Sequence, residues 1–249
     1  RYDVVKKAKN ADKYLFTAQT YQQFPDYYQT DFSFKKPQRV TNLNPQISNF
    51  AWGEKPELIS YKGFDGEDLQ GVLIKPAGYK KGDKVPVVVY FYRYMSQRMY
   101  DFPKMELNHR PNFPMFTSNG YAIFLPDIRF EIGHPGKSST QTMINATQKL
   151  IDLGIADPDK IGLQGHSWAG YQSAFMITQT NMFKAVVSGA PVSNMTSAYS
   201  GIRLKSGLAR QFQYETGQSR IGKTLFEAPE LYTENSPVFF ADKVNTPIL

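Results

Sequence analysis

Five stretches of this chain run continuously apolar: "PVVVYFY" (86–92), "YAIFLPD" (121–127), "KIGLQG" (160–165), "AVVSGAP" (185–191) and "TPIL" (246–249). A strand with one wet face alternates apolar and polar residues. Runs without that alternation belong to strands covered on both faces, as in a parallel sheet. Between two of them, "TQTMINATQKLIDLGI" (140–155) sets Met143, Ala146, Leu150 and Leu153 on one helical stripe, with Gly154 placed to cap its end. Strands alternating with helices predict a doubly wound, mostly parallel α/β domain. "PELISYKG" and "LQGVLIKP" flank the turn "FDGED" and predict an antiparallel hairpin leading into it.

The first 50 residues have another texture. "KYLFTAQTY", "DYYQTDFSF" and "PQRVTNLNP" are short aromatic and β-branched segments broken by Pro25, Asp26 and Lys35-Lys36-Pro37. That pattern predicts a β-meander of the kind that builds propeller blades or sandwiches. Such a meander is too small to stand alone, so it must pack on the rest of the chain or on something outside it. The expected division is residues 1–50 as the end of a β-sheet domain and 51–249 as the α/β domain. A chain of 249 residues has room for one large domain, or for one domain and part of another. Its start, "RYDVVKKAKN", has neither an initiator Met nor a signal-peptide core, which suggests a start inside a longer protein.

Composition narrows the chemistry. Cysteine is absent, which excludes disulfides, thiolate metal sites and cysteine nucleophiles and leaves the compartment open. The net charge of +7 comes from scattered lysines and arginines with no run longer than a pair, as on a solvated surface, so no nucleic-acid partner is expected. No apolar run approaches the roughly 18–20 residues of a membrane-spanning helix, and no metal or cofactor is called for. "NAT" (145–147) and "NMT" (194–196) fit a glycosylation pattern, which has meaning only in a eukaryotic secretory pathway.

In a parallel α/β sheet, reactive groups gather beyond the carboxyl ends of the strands. Ser167 stands there, in "KIGLQGHSWAGYQ" (160–172), two residues past an apolar strand and just before the helical "AGYQSAFMITQT". So sharp a strand-to-helix turn forces strained angles on the serine and requires small residues two positions away. Gly165 meets that demand; Ala169 departs from it by one methyl, and Gly170 follows at once. A tight structural turn accounts for the same small residues, but strand, helix and place in the strand order together favour a nucleophile elbow. Acyl transfer also needs oxyanion donors: the Trp168 backbone N–H is one, and the Tyr92 phenol is a candidate second because "VVVYFYRYMSQ" offers no glycine loop. Packing as one more aromatic is the equal alternative for Tyr92.

A serine hydroxyl needs a general base within hydrogen-bond reach. His166 adjoins the serine and is expected to brace the turn, while His134 and His109 fall in loops. The order His109, Asp127, Ser167 occurs in trypsin-like enzymes, but those are β-barrels without a strand–elbow–helix. Elbow enzymes run serine, acid, histidine. On that order, an aspartate and a histidine are expected after Leu249.

The segments "DIRFEIGHPGKSS", "GIADPDKIGLQGHSWAGYQSA", "VVSGAPVSNMTSAY" and "ELYTENSPVFFADKVNTPIL" resemble the catalytic domain of prolyl oligopeptidase family serine peptidases, nearest the dipeptidyl-peptidase and acylaminoacyl-peptidase-like branch. The resemblance implies an α/β-hydrolase domain preceded by the end of a β-propeller. It implies Ser167 as the acyl-forming nucleophile, with the Trp168 N–H and the Tyr92 hydroxyl as the oxyanion hole. It further implies that Tyr199, with the Trp168 ring, walls the pocket for the residue preceding the cut bond; core packing is the other reading of Tyr199. Two departures stand out: Ala169 replaces a family glycine, which would tighten the elbow and slow acylation, and "YRYMSQ" replaces a glycine–proline turn beside Tyr92.

The expected function is hydrolysis of short peptides through an acyl-enzyme on Ser167, of the dipeptidyl-peptidase type. Alternatives are an esterase on the same fold and a catalytically silent binding or assembly protein. The expected partner is a peptide substrate, with a homo-oligomer also in view. The resemblance leans toward a periplasmic or secreted location.

Overall fold

The computed structural model describes residues 1–106 and 108–249. A four-stranded antiparallel meander comes first: β1 (Tyr2–Lys7), β2 (Tyr14–Thr20), β3 (Gln23–Thr30) and the short β4 (Gln38–Arg39), paired in chain order. The hairpin β5 (Glu57–Lys62) and β6 (Asp68–Ile74) follows, with Glu57 opposite Leu73 and Lys62 opposite Asp68. Then come β7 (Val85–Tyr90), β8 (Ala122–Pro126), β9 (Ala156–His166) and β10 (Ala185–Gly189). These six strands form one mixed sheet in the order β10-β9-β7-β8-β6-β5. Strands β7, β8, β9 and β10 are mutually parallel, whereas β6 runs antiparallel to β8. The last stretch, 246–249, adds a parallel pairing outside β10: Val186 N–H donates to Pro247 O (3.0 Å) and Leu249 N–H to Val186 O (2.9 Å).

For β7 and β8 the unalternating runs have the predicted cause, whereas β10 departs from it: Val186 and Ser188 are buried but Ala185 and Val187 are exposed, and Ile248 and Leu249 in the last run are exposed as well. Val87, Val89 and Phe91 point to one face of the sheet, where they join Leu73, Phe124, Ile161 and Leu163 in a core shared with helix α2 (Pro135–Asp152). Tyr90, Val72, Ile74, Ile123 and Leu125 point to the other face, against α1 (Phe113–Ser118) and Tyr21. Each fully covered Val, Leu, Ile or Phe contributes about 1.5–3 kcal/mol relative to exposure, so both faces need a covering layer. Tyr21, just past β2, is the meander's main anchor. It packs edge-on against Trp52 (centroids 5.8 Å), and Gln22 Nε2 donates to Gly53 O at 2.7 Å. The meander therefore packs on the rest of the chain through one end.

Helix α2 differs from the expectation at both ends. It begins at Pro135, five residues before the predicted stripe, although "HPGKSS" has loop composition. Proline is preorganised for a helix's first turn. Gly136 is required there because an added Cβ would lie 2.7 Å from the Phe175 ring. The helix ends at Asp152, so Leu153 falls off the buried stripe and is 47% exposed, with Gly154 at φ +71° beyond it.

Helix α5 (Pro229–Glu234) is tied to α2 by the fully buried Asn235. Its Oδ1 accepts from Gly136 N–H (2.9 Å), and its Nδ2 donates to Gly133 O (2.9 Å) and Leu231 O (2.8 Å). Asn235→Ala strands a buried donor and a buried acceptor. It is expected to cost about 2–3 kcal/mol, read as a lower urea midpoint at unchanged slope.

Candidate active site

Chain order along the sheet reverses at β7. The path leaves β7 toward β8 on one side, and α2 then carries it back to β9 on the other. In open α/β sheets the crevice at such a reversal, beyond the strands' carboxyl ends, is where ligands bind. Ser167 sits on that rim, between β9 and helix α3 (Trp168–Met176).

Its backbone is at φ 60°, ψ −116°, outside the regions a serine adopts without strain. Neighbouring backbone enforces it. Ser167 N–H donates to Gly189 O at the end of β10 (2.8 Å), and Ser167 O accepts from Tyr171 N–H (3.0 Å) in the first turn of α3. A second non-glycine residue with positive φ, Ala190 at 48°, directly follows β10. The Ser167 side chain is half-buried and takes no hydrogen bond among the described residues.

Small residues make the turn possible. A Cβ on Gly165 would lie 2.2 Å from Ala169 O, and one on Gly170 would lie 2.3 Å from Gly189 O. Ala169 itself is wholly buried and joins the core under the sheet, so its methyl fills space instead of colliding. The close approach to β10 falls to Gly170, which explains how the elbow closes with alanine at 169. Gly165→Ala drives a methyl into backbone that cannot swing aside. The expected cost is at or above about 3 kcal/mol, the upper end for overpacking, measured by chemical denaturation.

Ser167 opens into a cleft of about 570 Å³ that it shares with Tyr92, Arg98, His109, Arg110 and His166. Tyr92, two residues past β7, is 38% exposed, and its hydroxyl accepts from Gln218 Nε2 at 2.7 Å. With an N–H already pointed at that oxygen, the phenol's own hydrogen is free to turn into the cleft. Asp127, just after β8, fastens the loop beyond Tyr92. It accepts from Met95 N–H, from Ser96 N–H (2.8 Å) and from Ser96 Oγ (2.7 Å), while Ile128 N–H donates to Arg93 O (2.6 Å). Neither Asp127 nor Gln218 stood out in the sequence as a support for Tyr92. A lone aspartate at the end of a buried strand was the available signal for the first, and nothing local marked the second.

The Trp168 N–H begins α3 and so has no acceptor within the helix, as the first turn of any helix leaves it. The Trp168 ring turns the other way. It is 3% exposed, tilted against Tyr171 (centroids 4.5 Å) and packed against Phe130. Tyr199, in α4 (Met195–Tyr199), belongs to the same aromatic cluster. It is 5% exposed, edge-on to Tyr232 at 5.3 Å and to Phe226 at 6.3 Å, with its hydroxyl donating to Glu215. Trp168 and Tyr199 thus share one wall beside Ser167, but neither ring lines the open cleft.

The histidines separate. His166 and His109 stack with centroids 4.3 Å apart, and His166 Nδ1 would lie 2.8 Å from a Cβ on Gly189, so His166 fills the space beside the turn as a brace would. Burial, His166 and Arg110 all lower the pKa of His109, which favours its neutral form. His134 directly precedes α2 and does not line the cleft. Its Nδ1 lies 2.7 Å from Glu234 Oε1, and Lys137 Nζ reaches Glu234 Oε2 at 2.9 Å. Partial burial raises the Glu234 carboxyl pKa, but these two partners outweigh it and hold it below the usual value. Among the described residues no group of three or more His, Asp or Glu is placed to hold a metal. No helix among them is long and apolar enough to cross a membrane.

A reversing parallel sheet with a strained serine on its carboxyl rim defines the α/β-hydrolase class. The profile of the prolyl oligopeptidase family matches residues 108–249, more than half of the chain, and the chain belongs to that family. It is 25% identical over 231 residues to the uncharacterized peptidase YuxL of Bacillus subtilis (strain 168), across 86% of this chain and 32% of that protein. To dipeptidyl peptidase 8 of Homo sapiens it is 26% identical over 156 residues, 55% of this chain and 17% of that protein. Acylaminoacyl peptidase of Pyrococcus horikoshii superposes with a TM-score of 0.72 at 23% identity, over 98% of this chain and 40% of that one, which is a likeness of fold. The chain spans about a third or less of these curated relatives.

Proposed function

We propose that the full-length protein is a serine peptidase that opens short peptides through an acyl-enzyme on Ser167. The observation that carries this reading is the strained, half-exposed Ser167 at the sheet's reversal point, pinned by Gly189 O and facing a cleft. Strain of this kind costs about 1–3 kcal/mol and persists only where surroundings impose it, typically at functional sites. In the proposed reaction Ser167 Oγ attacks the scissile carbonyl carbon as a general base takes its proton. The carbonyl oxygen becomes an oxyanion held by the Trp168 N–H and the Tyr92 hydroxyl. Collapse expels the amine, which regains the proton, and water then releases the acyl fragment.

Release of dipeptides is the finer reading; dipeptidyl peptidase 8 carries that name among the relatives, while others are named acylaminoacyl peptidase or probable glutamyl endopeptidase. Tyr199 and the Trp168 ring are proposed as the acyl-side wall, opening if Phe226, itself 86% exposed, swings off Tyr199. The four-strand meander is proposed as one blade of a propeller, whose blades have that strand number and pairing. Parallel assays of dipeptidyl-, acylaminoacyl- and single aminoacyl-nitroanilides against a short-chain ester test the reading. Turnover of the dipeptidyl substrate above the others is expected. An ester hydrolysed with no amide cleaved contradicts the peptidase reading.

A further inference from the structure

Ser167 stands at the end of β9, with β7 on one side and β10 on the other. The two flanks differ in chemistry. Beyond β10 lies the aromatic wall of Tyr199, Tyr214 and Tyr232. Beyond β7 the cleft is lined by three guanidinium groups, Arg93, Arg98 and Arg110, together with His109 and His166, and by no aspartate or glutamate.

Cations on a protein surface usually have carboxylates close by, and here they do not. Among the described residues none of the three arginines has a carboxylate within 4.0 Å. Of the acids nearby, Asp101 pairs with Arg1 at 2.7 Å, Asp127 is taken up by Met95 and Ser96, and Glu106, which lines the neighbouring cavity with Arg98 and Arg110, lies 4.0 Å from Lys104. What the arginines do meet is neutral. Arg93 lies over the Tyr94 ring at 5.0 Å, and Arg110 faces the Tyr90 phenol. Arg98 and Arg110 both line the cleft from the one connection between β7 and α1, Arg98 nearer its start and Arg110 near its end. Planar guanidinium forks suit a carboxylate, which can accept two parallel N–H bonds from each.

We infer that the β7 side of the cleft receives the leaving fragment of the peptide and selects one carrying a carboxylate within its first two residues. The inference rests on the acyl-enzyme reading, with the acyl side directed to the aromatic wall beyond β10. The carboxylate is either an Asp or Glu side chain or the free C-terminus of a short peptide. Both place the same planar anion beside Arg98 and Arg110, within reach of Ser167.

The test uses the full-length enzyme and matched peptides that share one acyl side. The first leaving residue is Glu, Gln or Lys, and each peptide is made with a free and an amidated C-terminus. The expected order of kcat/KM is Glu above Gln above Lys, or free acid above amide, with roughly tenfold or more between extremes at low salt. The spread should shrink when salt is raised to about 0.5 M. Replacing both arginines together (Arg98→Gln with Arg110→Gln) is expected to lower kcat/KM for the carboxylate-bearing peptides about tenfold, and for the Gln amide much less. Arg110 lies on an exposed loop and Arg98 ends a short 3-10 turn, half-buried, and the salt series on the unmodified enzyme gives an independent readout. Cleavage of every peptide at similar rates overturns the carboxylate preference and leaves Ser167's role standing. If no peptide is cleaved and Ser167 takes no fluorophosphonate, the acyl-enzyme reading itself falls.

Discussion

Ser167→Ala in the full-length protein is expected to lower kcat for peptide hydrolysis by roughly a millionfold while leaving the fold intact. The two halves of that expectation have separate causes. Activity collapses because the attacking oxygen is gone and no other hydroxyl occupies the elbow. Stability holds because Ser167 Oγ makes no hydrogen bond among the described residues, and the bonds that set its backbone, from Ser167 N–H to Gly189 O and from Tyr171 N–H to Ser167 O, survive the change. A denaturation midpoint within about 0.5 kcal/mol of the parent, with hydrolysis at background, is the expected pair of results. Residual turnover above about one part in a thousand removes Ser167 from the role of nucleophile.

Tyr92→Phe is expected to cost about 10²–10³ in kcat, with KM changed far less, because an oxyanion donor acts as charge develops and contributes little to the ground state. The geometry makes the variant informative. Gln218 Nε2 already donates to the phenol oxygen at 2.7 Å, so the hydroxyl hydrogen is available to an oxyanion, and phenylalanine keeps the ring while removing only that hydrogen and oxygen. Tyr92 is 38% exposed, so the substitution leaves little buried polarity unsatisfied. Asp127→Ala should imitate part of the loss, by freeing the loop that follows Tyr92 from its hold on Met95 and Ser96. An effect below twofold for Tyr92→Phe would place the ring among packing residues.

The sheet was legible because its chemistry is local. Runs such as "PVVVYFY" cannot sit with one face in water, and they fall in strands covered on both sides, as expected. The elbow was legible for the same reason, since strand, serine, small residues and helix are contiguous in sequence. Ends were less so. Pro135 and Gly136 have loop composition, yet they open a helix because Asn235, some 99 residues away, satisfies the Gly136 N–H. The surroundings of Tyr92 could not be foreseen. Gln218 reaches the Tyr92 hydroxyl from 126 residues away and Asp127 holds Ser96, in the loop beyond it, from 31 residues away, and no periodicity encodes such meetings. Ala169 looked like a defect in the motif. It is accommodated because Gly170, not residue 169, meets β10.

The central claim is that Ser167 is held by its backbone as an open nucleophile. Reaction of the full-length protein with a fluorophosphonate, followed by mass spectrometric mapping of the modified residue, tests it most directly. One phosphonylated site, Ser167, is expected, formed in parallel with loss of peptide hydrolysis. Modification of a different residue, or hydrolysis persisting in protein whose Ser167 is fully modified, would contradict it.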